Sequence, residues 1–244
     1  ITAREALLNV AKALTGHTPA DDTFIVATSG RCEYRNKGID VFLDSIKTLE
    51  SVPASRPVLA FVLVPAWMKA PRADLQARLA AGTAESSALG EPTVTHELHN
   101  TDSDAILGRI RQLGFASADP AKVQVVYVPS YLNGDDGIFN MDYYEILCGL
   151  DATAFPSYYE PWGYTPLESV AFGIPTITTS LSGFGQWILS SSKSDFAVSG
   201  VEVVQRNDSN YGEVVANIAA DLRRLADAPD DYREKASKAA RDTA

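Results

Sequence analysis

Two carboxylates flank an aromatic-rich loop in the second half of the chain. Glu160 and Glu168 are separated by seven residues that include proline, tryptophan, glycine and tyrosine, and an apolar stretch follows them. A helix that starts within this loop offers unpaired N–H groups and partial positive charge to an anion such as a phosphate. Carboxylates accept hydrogen bonds from hydroxyl groups. The combination suits the phosphate and sugar hydroxyl groups of a nucleotide sugar.

Glu168 also has a purely structural interpretation. Thr165, Pro166 and Glu168 match a capping box, with Thr165 as the N-cap, Pro166 at the first helical position and Glu168 accepting from the Thr165 N–H. Local chemistry therefore leaves helix capping and ligand contact both open for Glu168. Glu160 precedes Pro161 and fits no capping pattern, so ligand contact is favoured, with a solvated surface position as the alternative.

A second candidate lies in a glycine-bounded loop after a predicted strand. Arg31 and Lys37 stand between Gly30 and Gly38, where paired cations could neutralise a diphosphate and glycine would allow its close approach. Basic loop residues that are simply solvated are the alternative interpretation. A kinase-like P-loop is not supported, because the Gly-x-x-x-x-Gly-Lys-Ser/Thr pattern is absent from the sequence.

The histidines and cysteines show no arrangement suited to a metal. The chain has three histidines and two cysteines, and none of them has the spacing of a zinc site. We therefore predict no metal site. Cys148 is predicted to lie in the core, whereas Cys32, next to Arg31, is expected to be exposed.

Composition disfavours several classes of function. The formal net charge is -10, with 21 basic against 31 acidic side chains, which argues against a nucleic-acid partner. No apolar run has the length that crosses a bilayer, so no membrane partner is expected. Two widely spaced cysteines suit a reducing compartment, and we predict a cytoplasmic protein. The chain starts at Ile1 rather than methionine, which suggests a piece of a longer polypeptide.

Apolar periodicity divides the chain into alternating strands and helices. Short apolar runs predict strands at residues 23–28, 56–64, 123–128, 152–155 and 175–179, and one or two strand segments within 196–204. Helical spacing predicts helices at residues 2–14, 39–49, 105–113, 141–148, 165–172, 184–189, 209–226 and 231–240. The alanine-rich residues 66–95 are predicted to be mostly helical, and residues 96–100 to form an irregular connection.

The alternation predicts one α/β domain over residues 1–244, with a Rossmann-like parallel sheet and helices on both faces. In such a sheet, ligands bind beyond the carboxyl ends of the strands. The loop of Arg31 and the loop of Glu160 both follow predicted strands at that edge. We therefore expect the two loops to contribute to one site.

Three segments carry a resemblance to a known family: residues 29–40, 141–145 and 155–185. Together they resemble the glycogen synthases of the fungal and animal type and their bacterial relatives, from near Ala3 to about Arg224. The resemblance implies the C-terminal half of a GT-B fold, with this chain as the donor-binding domain and the N-terminal GT-B domain absent. It also implies transfer of glucose from UDP-glucose to the 4-hydroxyl end of an α-1,4-glucan, with retention and without a cofactor. The isolated domain is expected to be inactive or weakly active.

The resemblance further implies roles for individual residues. Arg31 and Lys37 match cations that hold the diphosphate, and Glu160 matches a carboxylate beside the donor glucose; these three are the expected catalytic residues. The expected donor-binding residues are Glu168 at the ribose, Tyr143 against the uracil ring, the amides of Gly163, Tyr164 and Thr165 at the distal phosphate, and in addition Gly30 and Asp151. Asp151 stands where fungal and animal members carry a histidine near the donor.

Two other functions remain open. A non-catalytic module that binds a nucleotide sugar or a glucan could keep the same fold. A related glycosyltransferase could use a different donor, because the base pocket cannot be read from residue spacing and the preference for UDP over ADP follows from the resemblance alone.

Overall fold

A six-stranded parallel sheet forms the centre of the computed structural model, which describes residues 1–82 and 86–244. In chain order the strands are β1 (Phe24–Ser29), β2 (Val58–Leu63), β3 (Met68–Pro71), β4 (His96–Leu98), β5 (Val123–Val128), β6 (Ala152–Ala154), β7 (Thr176–Thr179) and β8 (Val201–Val204). The parallel sheet has the order β5-β2-β1-β6-β7-β8. The strand order therefore reverses between β1 and β6, which is where open α/β sheets bind their ligands.

Ten α-helices connect or flank the strands within the described residues. They are α1 (Ala3–Thr15), α2 (Ile39–Ser51), α3 (Ala73–Ala80), α4 (Ala105–Gln112), α5 (Tyr143–Leu147), α6 (Tyr164–Ala171), α7 (Gly183–Ser190), α8 (Phe196–Ser199), α9 (Tyr211–Asp227) and α10 (Asp230–Thr243). The helices lie on both faces of the sheet, which confirms the predicted Rossmann-like α/β fold.

The two faces of the sheet have separate apolar cores. Phe24 and Val26 of β1 pack in one core with residues of α2, α4 and α9, whereas Ile25 and Ala27 pack in the other with residues of α1 and α5. Strands β1, β2 and β5 are buried at every position, as expected for parallel strands covered on both faces. Each fully buried large apolar side chain contributes about 1.5–3 kcal/mol, so this double burial fixes the register of β1, whose following loop carries Arg31 and Lys37.

The chain between β2 and β5 differs from its sequence-based prediction. Residues 66–95 were predicted to be mostly helical, but α3 is their one α-helix in the described part of the chain, and residues 83–85 lie outside it. Residues 96–100, predicted to be an irregular connection, contain β4, which pairs antiparallel with β3. Hydrogen bonds between residues 66–95 and distant backbone therefore override the local helix propensity of these residues. In one example, the Tyr127 N–H of β5 donates to Thr93 O at 2.7 Å.

Residues 196–204 combine a helix and a strand, where one or two strand segments were predicted. Asp195 caps α8 by accepting from the Ala197 N–H at 2.6 Å. Gly200, with φ 73°, ends this helix before β8 begins. No helix in the described residues combines the length and apolar character needed to span a membrane.

Candidate functional site

Two loops meet at the point where the strand order reverses. The β1 loop (residues 30–38) follows β1, and the β6 loop (residues 155–163) follows β6. The Tyr158 N–H donates to Asn36 O at 2.8 Å, which links the two backbones. Gly38, with φ 67°, lies so close to the other loop that a Cβ atom on it would stand 1.8 Å from Pro156 O. The close contact makes the two loops one structural unit.

Lys37 and Glu160 form an ion pair across these loops. Lys37 Nζ donates to Glu160 Oε2, and the side chains are only 12% and 17% exposed. Gly30, with φ 135°, lies beside the lysine stem, since a Cβ at this position would be 3.7 Å from Lys37 Cδ. Two of the three predicted catalytic residues are thus brought together from opposite sides of the switch point.

The backbone around Glu160 is held by the connection between β7 and α7. The Glu160 N–H donates to Leu181 O at 3.3 Å, and Glu160 O accepts from the Gly183 N–H at 3.0 Å. Trp162 O accepts from the Phe184 N–H at 2.7 Å, and the two aromatic rings pack edge to face. These bonds hold the backbone of Glu160, and Lys37 holds its carboxylate; a fixed charge of this kind is the condition for effective electrostatic stabilisation.

The start of α6 differs from the predicted capping box. Gly163, with φ 111°, is the N-cap residue and Tyr164 is the first helical residue, so Thr165 lies one residue inside the helix. The capping-box prediction is wrong, because glycine readily adopts the positive φ that this loop requires. Glu168 does not return to the helix start; its Oε1 accepts a hydrogen bond from the Tyr144 hydroxyl at 3.2 Å.

The first amides of α6 have properties suited to an anion. No side chain caps this helix, and within the described residues no acceptor takes a hydrogen bond from the N–H groups of Gly163, Tyr164 or Thr165. Unpaired N–H groups at a helix start combine with the partial positive charge of the helix dipole. These three amides can therefore receive phosphate oxygens.

A cleft of about 480 Å³ adjoins the β1 loop. It is lined by Ser29, Gly30, Arg31, Cys32, Leu63, Pro65, Ser130, Tyr131, Leu132, Tyr143 and Thr165. The lining includes residues at or just beyond the carboxyl ends of β1, β2 and β5 together with one residue each from α5 and α6. A cleft with several apolar walls and a few polar groups is typical of a small-molecule site.

Tyr143 is a fixed wall of this cleft. Its hydroxyl shares a hydrogen bond of 2.7 Å with Ser29 Oγ. Burial raises the pKa of Tyr143 to about 12, so the phenol is neutral at physiological pH. A neutral, anchored aromatic ring can stack on a flat ligand without paying much side-chain entropy.

Arg31 lies at the rim of the cleft. Its side chain is exposed, and Arg31 Nη2 is 3.1 Å from Glu33 Oε1. An exposed ion pair of this kind contributes little to stability, so Arg31 can exchange its contact with Glu33 for a contact with a ligand anion at low cost.

Asp151 and Cys148 do not lie where the sequence predicted. Asp151 Oδ2 accepts from Arg4 Nη1 at 3.0 Å and from the Ile25 N–H at 2.8 Å. These contacts place Asp151 at the amino ends of β1 and β6, opposite the cleft, so the predicted donor contact is wrong and the carboxylate ties α1 to the sheet.

Cys148, predicted to be a core residue, is exposed at the end of the short helix α5, where its thiol donates to Tyr144 O at 3.3 Å. Cys32 is exposed, as predicted.

Sequence reasoning missed several residues of the cleft, notably Ser29, Ser130, Tyr131 and Leu132. Each of them lies at the end of a strand or just beyond it. Applying the strand-end rule to β5 as well as to β1 would have identified Tyr131. In the part of the chain that the structure describes, no three or more histidine, cysteine, aspartate or glutamate side chains are grouped as a metal site.

A family model and several known proteins match most of the chain. A family model described as glycogen synthase matches residues 69–228. The chain is 29% identical over 260 residues to glycogen [starch] synthase isoform 1 of Saccharomyces cerevisiae, with 82% of this chain and 37% of that protein covered. It is 31% identical over 248 residues to glycogen [starch] synthase of Dictyostelium discoideum, with 80% and 28% covered.

A human relative adds to these matches, and a solved structure has a similar fold. The liver glycogen [starch] synthase of Homo sapiens is 30% identical over 222 residues, with 70% of this chain and 32% of that protein covered. The chain thus spans roughly a third of the length of the curated relatives it matches. The crystal structure of TarM has a similar fold, with a TM-score of 0.53, 10% identity, and 94% of this chain and 34% of that chain covered.

Proposed function

The chain belongs to the glycogen synthase family, and from this premise we propose that it is the donor-binding half of a retaining GT-B glucosyltransferase. The proposed donor is UDP-glucose, and the proposed acceptor is the 4-hydroxyl end of an α-1,4-glucan. The observation that carries the proposal is the Lys37–Glu160 ion pair beside the uncapped start of α6. We also propose that the protein works in the cytoplasm, where its two free cysteines would stay reduced.

The proposed donor occupies the site from the cleft toward Glu160. The uracil ring stacks on Tyr143, a ribose hydroxyl donates to Glu168, and the glucose lies beside Glu160. The diphosphate lies between Arg31, Lys37 and the α6 amides of Gly163, Tyr164 and Thr165, with Gly30 leaving room beside the Lys37 side chain. All of these residues belong to the single domain that we propose for residues 1–244.

The proposed reaction breaks the bond between the anomeric carbon of glucose and the distal phosphate oxygen, and it forms a bond from that carbon to the 4-hydroxyl oxygen of the acceptor, whose proton passes to the leaving diphosphate. Negative charge then grows on the leaving UDP, where Lys37, Arg31 and the α6 amides stabilise it more strongly than in the ground state. Positive charge grows on the sugar ring, where the Glu160 carboxylate stabilises it. Glu160 acts electrostatically, and we propose no covalent glycosyl-enzyme of the kind formed by retaining hydrolases. Because side-chain cations and amides neutralise the diphosphate, the proposal includes no metal or cofactor.

Catalysis in this proposal needs more than these 244 residues. The second wall of the site and most acceptor contacts would come from an N-terminal GT-B domain, consistent with the chain spanning roughly a third of its relatives. Precise positioning of both substrates supplies a large part of enzymatic rate enhancement. The chain alone should therefore extend glycogen at a rate close to background in an assay with radiolabelled UDP-glucose.

A calorimetric panel of nucleotides tests the donor assignment. UDP and UDP-glucose should bind the chain at least about tenfold more tightly than ADP, ADP-glucose or GDP-mannose. This ratio corresponds to a preference of about 1.4 kcal/mol for uracil over adenine or guanine. Added EDTA should leave the affinity for UDP unchanged. Tighter binding of an adenine or guanine nucleotide would assign the chain to a related glycosyltransferase with another donor. Absence of binding by every nucleotide would contradict the proposed function.

A further inference from the structure

A second depression lies on the same edge of the sheet, beside the loops that carry Lys37 and Glu160. This β8 pocket has a volume of about 380 Å³, and its lining includes Arg35, Asp40, Tyr158, Arg206, Asp208 and Tyr211. Arg206 and Asp208 follow β8, and Tyr211 begins α9. The proposed donor site does not use any of these side chains.

The β8 pocket adjoins both loops that carry the Lys37–Glu160 pair. The cleft is lined largely by residues at or just beyond the ends of β1, β2 and β5, whereas the lining of the β8 pocket includes residues that follow β6 and β8 together with Arg35 of the β1 loop and Asp40 of α2. Tyr158, a wall of the β8 pocket, is two residues before Glu160, and its N–H donates to the backbone of Asn36 next to Lys37. A ligand in the β8 pocket would thus lie against the same two loops that hold the Lys37–Glu160 pair.

The charges of the β8 pocket balance. Arg35 and Arg206 face Asp40 and Asp208, so the lining carries no formal excess charge. Arg206 is buried, donates to Pro156 O and lies over the Tyr158 ring at 5.4 Å. Burial lowers the pKa of Arg206 and raises the pKa of Asp40, and the attraction between these two groups opposes both shifts. A balanced, polar lining is suited to a neutral ligand with many hydroxyl groups rather than to an anion.

Two tyrosine rings of the pocket are exposed but anchored. Tyr158 and Tyr211 are 43% and 41% exposed. The Tyr158 hydroxyl donates to Asp208 Oδ1, and the Tyr211 hydroxyl donates to Asp44 Oδ2 at 2.7 Å. Anchored rings have little conformational entropy left to lose on binding. They offer flat apolar faces to the C–H side of a pyranose ring while the charged groups meet its hydroxyls.

We propose that the β8 pocket is a glucan-binding subsite that holds α-1,4-linked glucose units of the acceptor beside the Lys37–Glu160 pair. This inference rests on the proposed function, which supplies the glucan as substrate. The pocket would hold the chain near the unit that receives the transferred glucose, so that part of the acceptor contacts come from this domain itself.

Affinity electrophoresis of the full chain in native gels containing glycogen tests this inference. Glycogen should retard the wild type, and maltoheptaose should relieve the retardation. The Tyr211→Ala and Asp208→Ala variants should each bind glycogen at least about fivefold more weakly. Tyr211→Phe keeps the ring and should stay within twofold of the wild type, with melting curves showing that each variant is folded.

Trp67→Ala is the matched control. Trp67 is also an exposed aromatic residue, but it belongs to the segment after β2, where its ring packs against His99, and it does not line the β8 pocket. This variant should bind glycogen as the wild type does, and UDP affinity should be unchanged in Tyr211→Ala. Any of three results would overturn the subsite. Glycogen would fail to retard the wild type, dextran would retard it as strongly as glycogen does, or Trp67→Ala and Tyr211→Ala would lose glycogen affinity equally. Glycogen binding through the pocket without UDP binding would support the subsite and overturn the proposed donor site.

Discussion

Alanine at both Arg31 and Lys37 is expected to weaken UDP binding to the chain by about 100-fold or more. Each hydrogen bond to a charged group contributes about 1.5–3 kcal/mol, and every 1.4 kcal/mol corresponds to tenfold in affinity. The diphosphate would lose two such contacts, and the partly buried Glu160 would add uncompensated negative charge once its partner Lys37 is removed. Isothermal titration calorimetry measures the loss directly.

A control with the same change in net charge separates the loss of direct contacts to the diphosphate from the effect of the lower overall positive charge. Arg35→Ala combined with Lys122→Ala also removes two cations, one from the β1 loop outside the cleft and one from the exposed segment before β5. This control should bind UDP within about threefold of the wild type, because both side chains are exposed to screening by solvent and salt and neither lines the cleft. Equal affinities for the double variant at Arg31 and Lys37 and for the control would contradict the assignment of the diphosphate to these cations.

Gly38→Ala is expected to lower the free energy of unfolding by about 4 kcal/mol, in the range reserved for severe defects. Gly38 has φ 67°, and an added Cβ would stand 1.8 Å from Pro156 O. The left-handed conformation alone costs a non-glycine residue about 1–2 kcal/mol, and relief of the clash must move the β6 loop. For a domain of this size the melting temperature should fall by roughly 10 °C, as measured by circular dichroism.

Gly108→Ala is the matched substitution for this prediction. Gly108 lies within α4, and nothing stands within 4 Å of an added Cβ. Replacing a helical glycine by alanine should raise stability by about 0.4–1 kcal/mol. If Gly38→Ala melted within about 1 °C of the wild type, the close contact between the β1 and β6 loops would not be a structural constraint.

The sheet and the positions of the β1 and β6 loops could be predicted because their signals are local. Continuous apolar runs identify β1, β2 and β5 as strands buried on both faces, and a loop that follows such a strand lies at the ligand-binding edge. Placing the Arg31–Lys37 segment and the Glu160 segment at that edge requires no knowledge of side-chain contacts. Their pairing through Lys37 and Glu160 appears only once the strand order is known.

The errors in the sequence-based predictions arise where distant contacts override local patterns. The capping box at Thr165 failed because Gly163 ends the β6 loop with a positive φ and the helix begins earlier. Asp151 was expected near the donor, yet a carboxylate just before a parallel strand lies at the amino edge, where Arg4 and the Ile25 N–H bind it. The β3–β4 pair was missed because alanine-rich composition says nothing about antiparallel pairing with distant backbone.

A nucleotide diphosphate is expected to bind between the β1 loop and the start of α6, and NMR titration can locate this binding residue by residue. UDP added to the ¹⁵N-labelled chain should shift the amide resonances of Gly30, Lys37, Gly163, Tyr164 and Thr165 most strongly. Resonances at the amino edge, around Arg4 and Asp151, should not move. Absence of saturable shifts, or shifts concentrated around Asp151, would show that the diphosphate does not bind between these two segments.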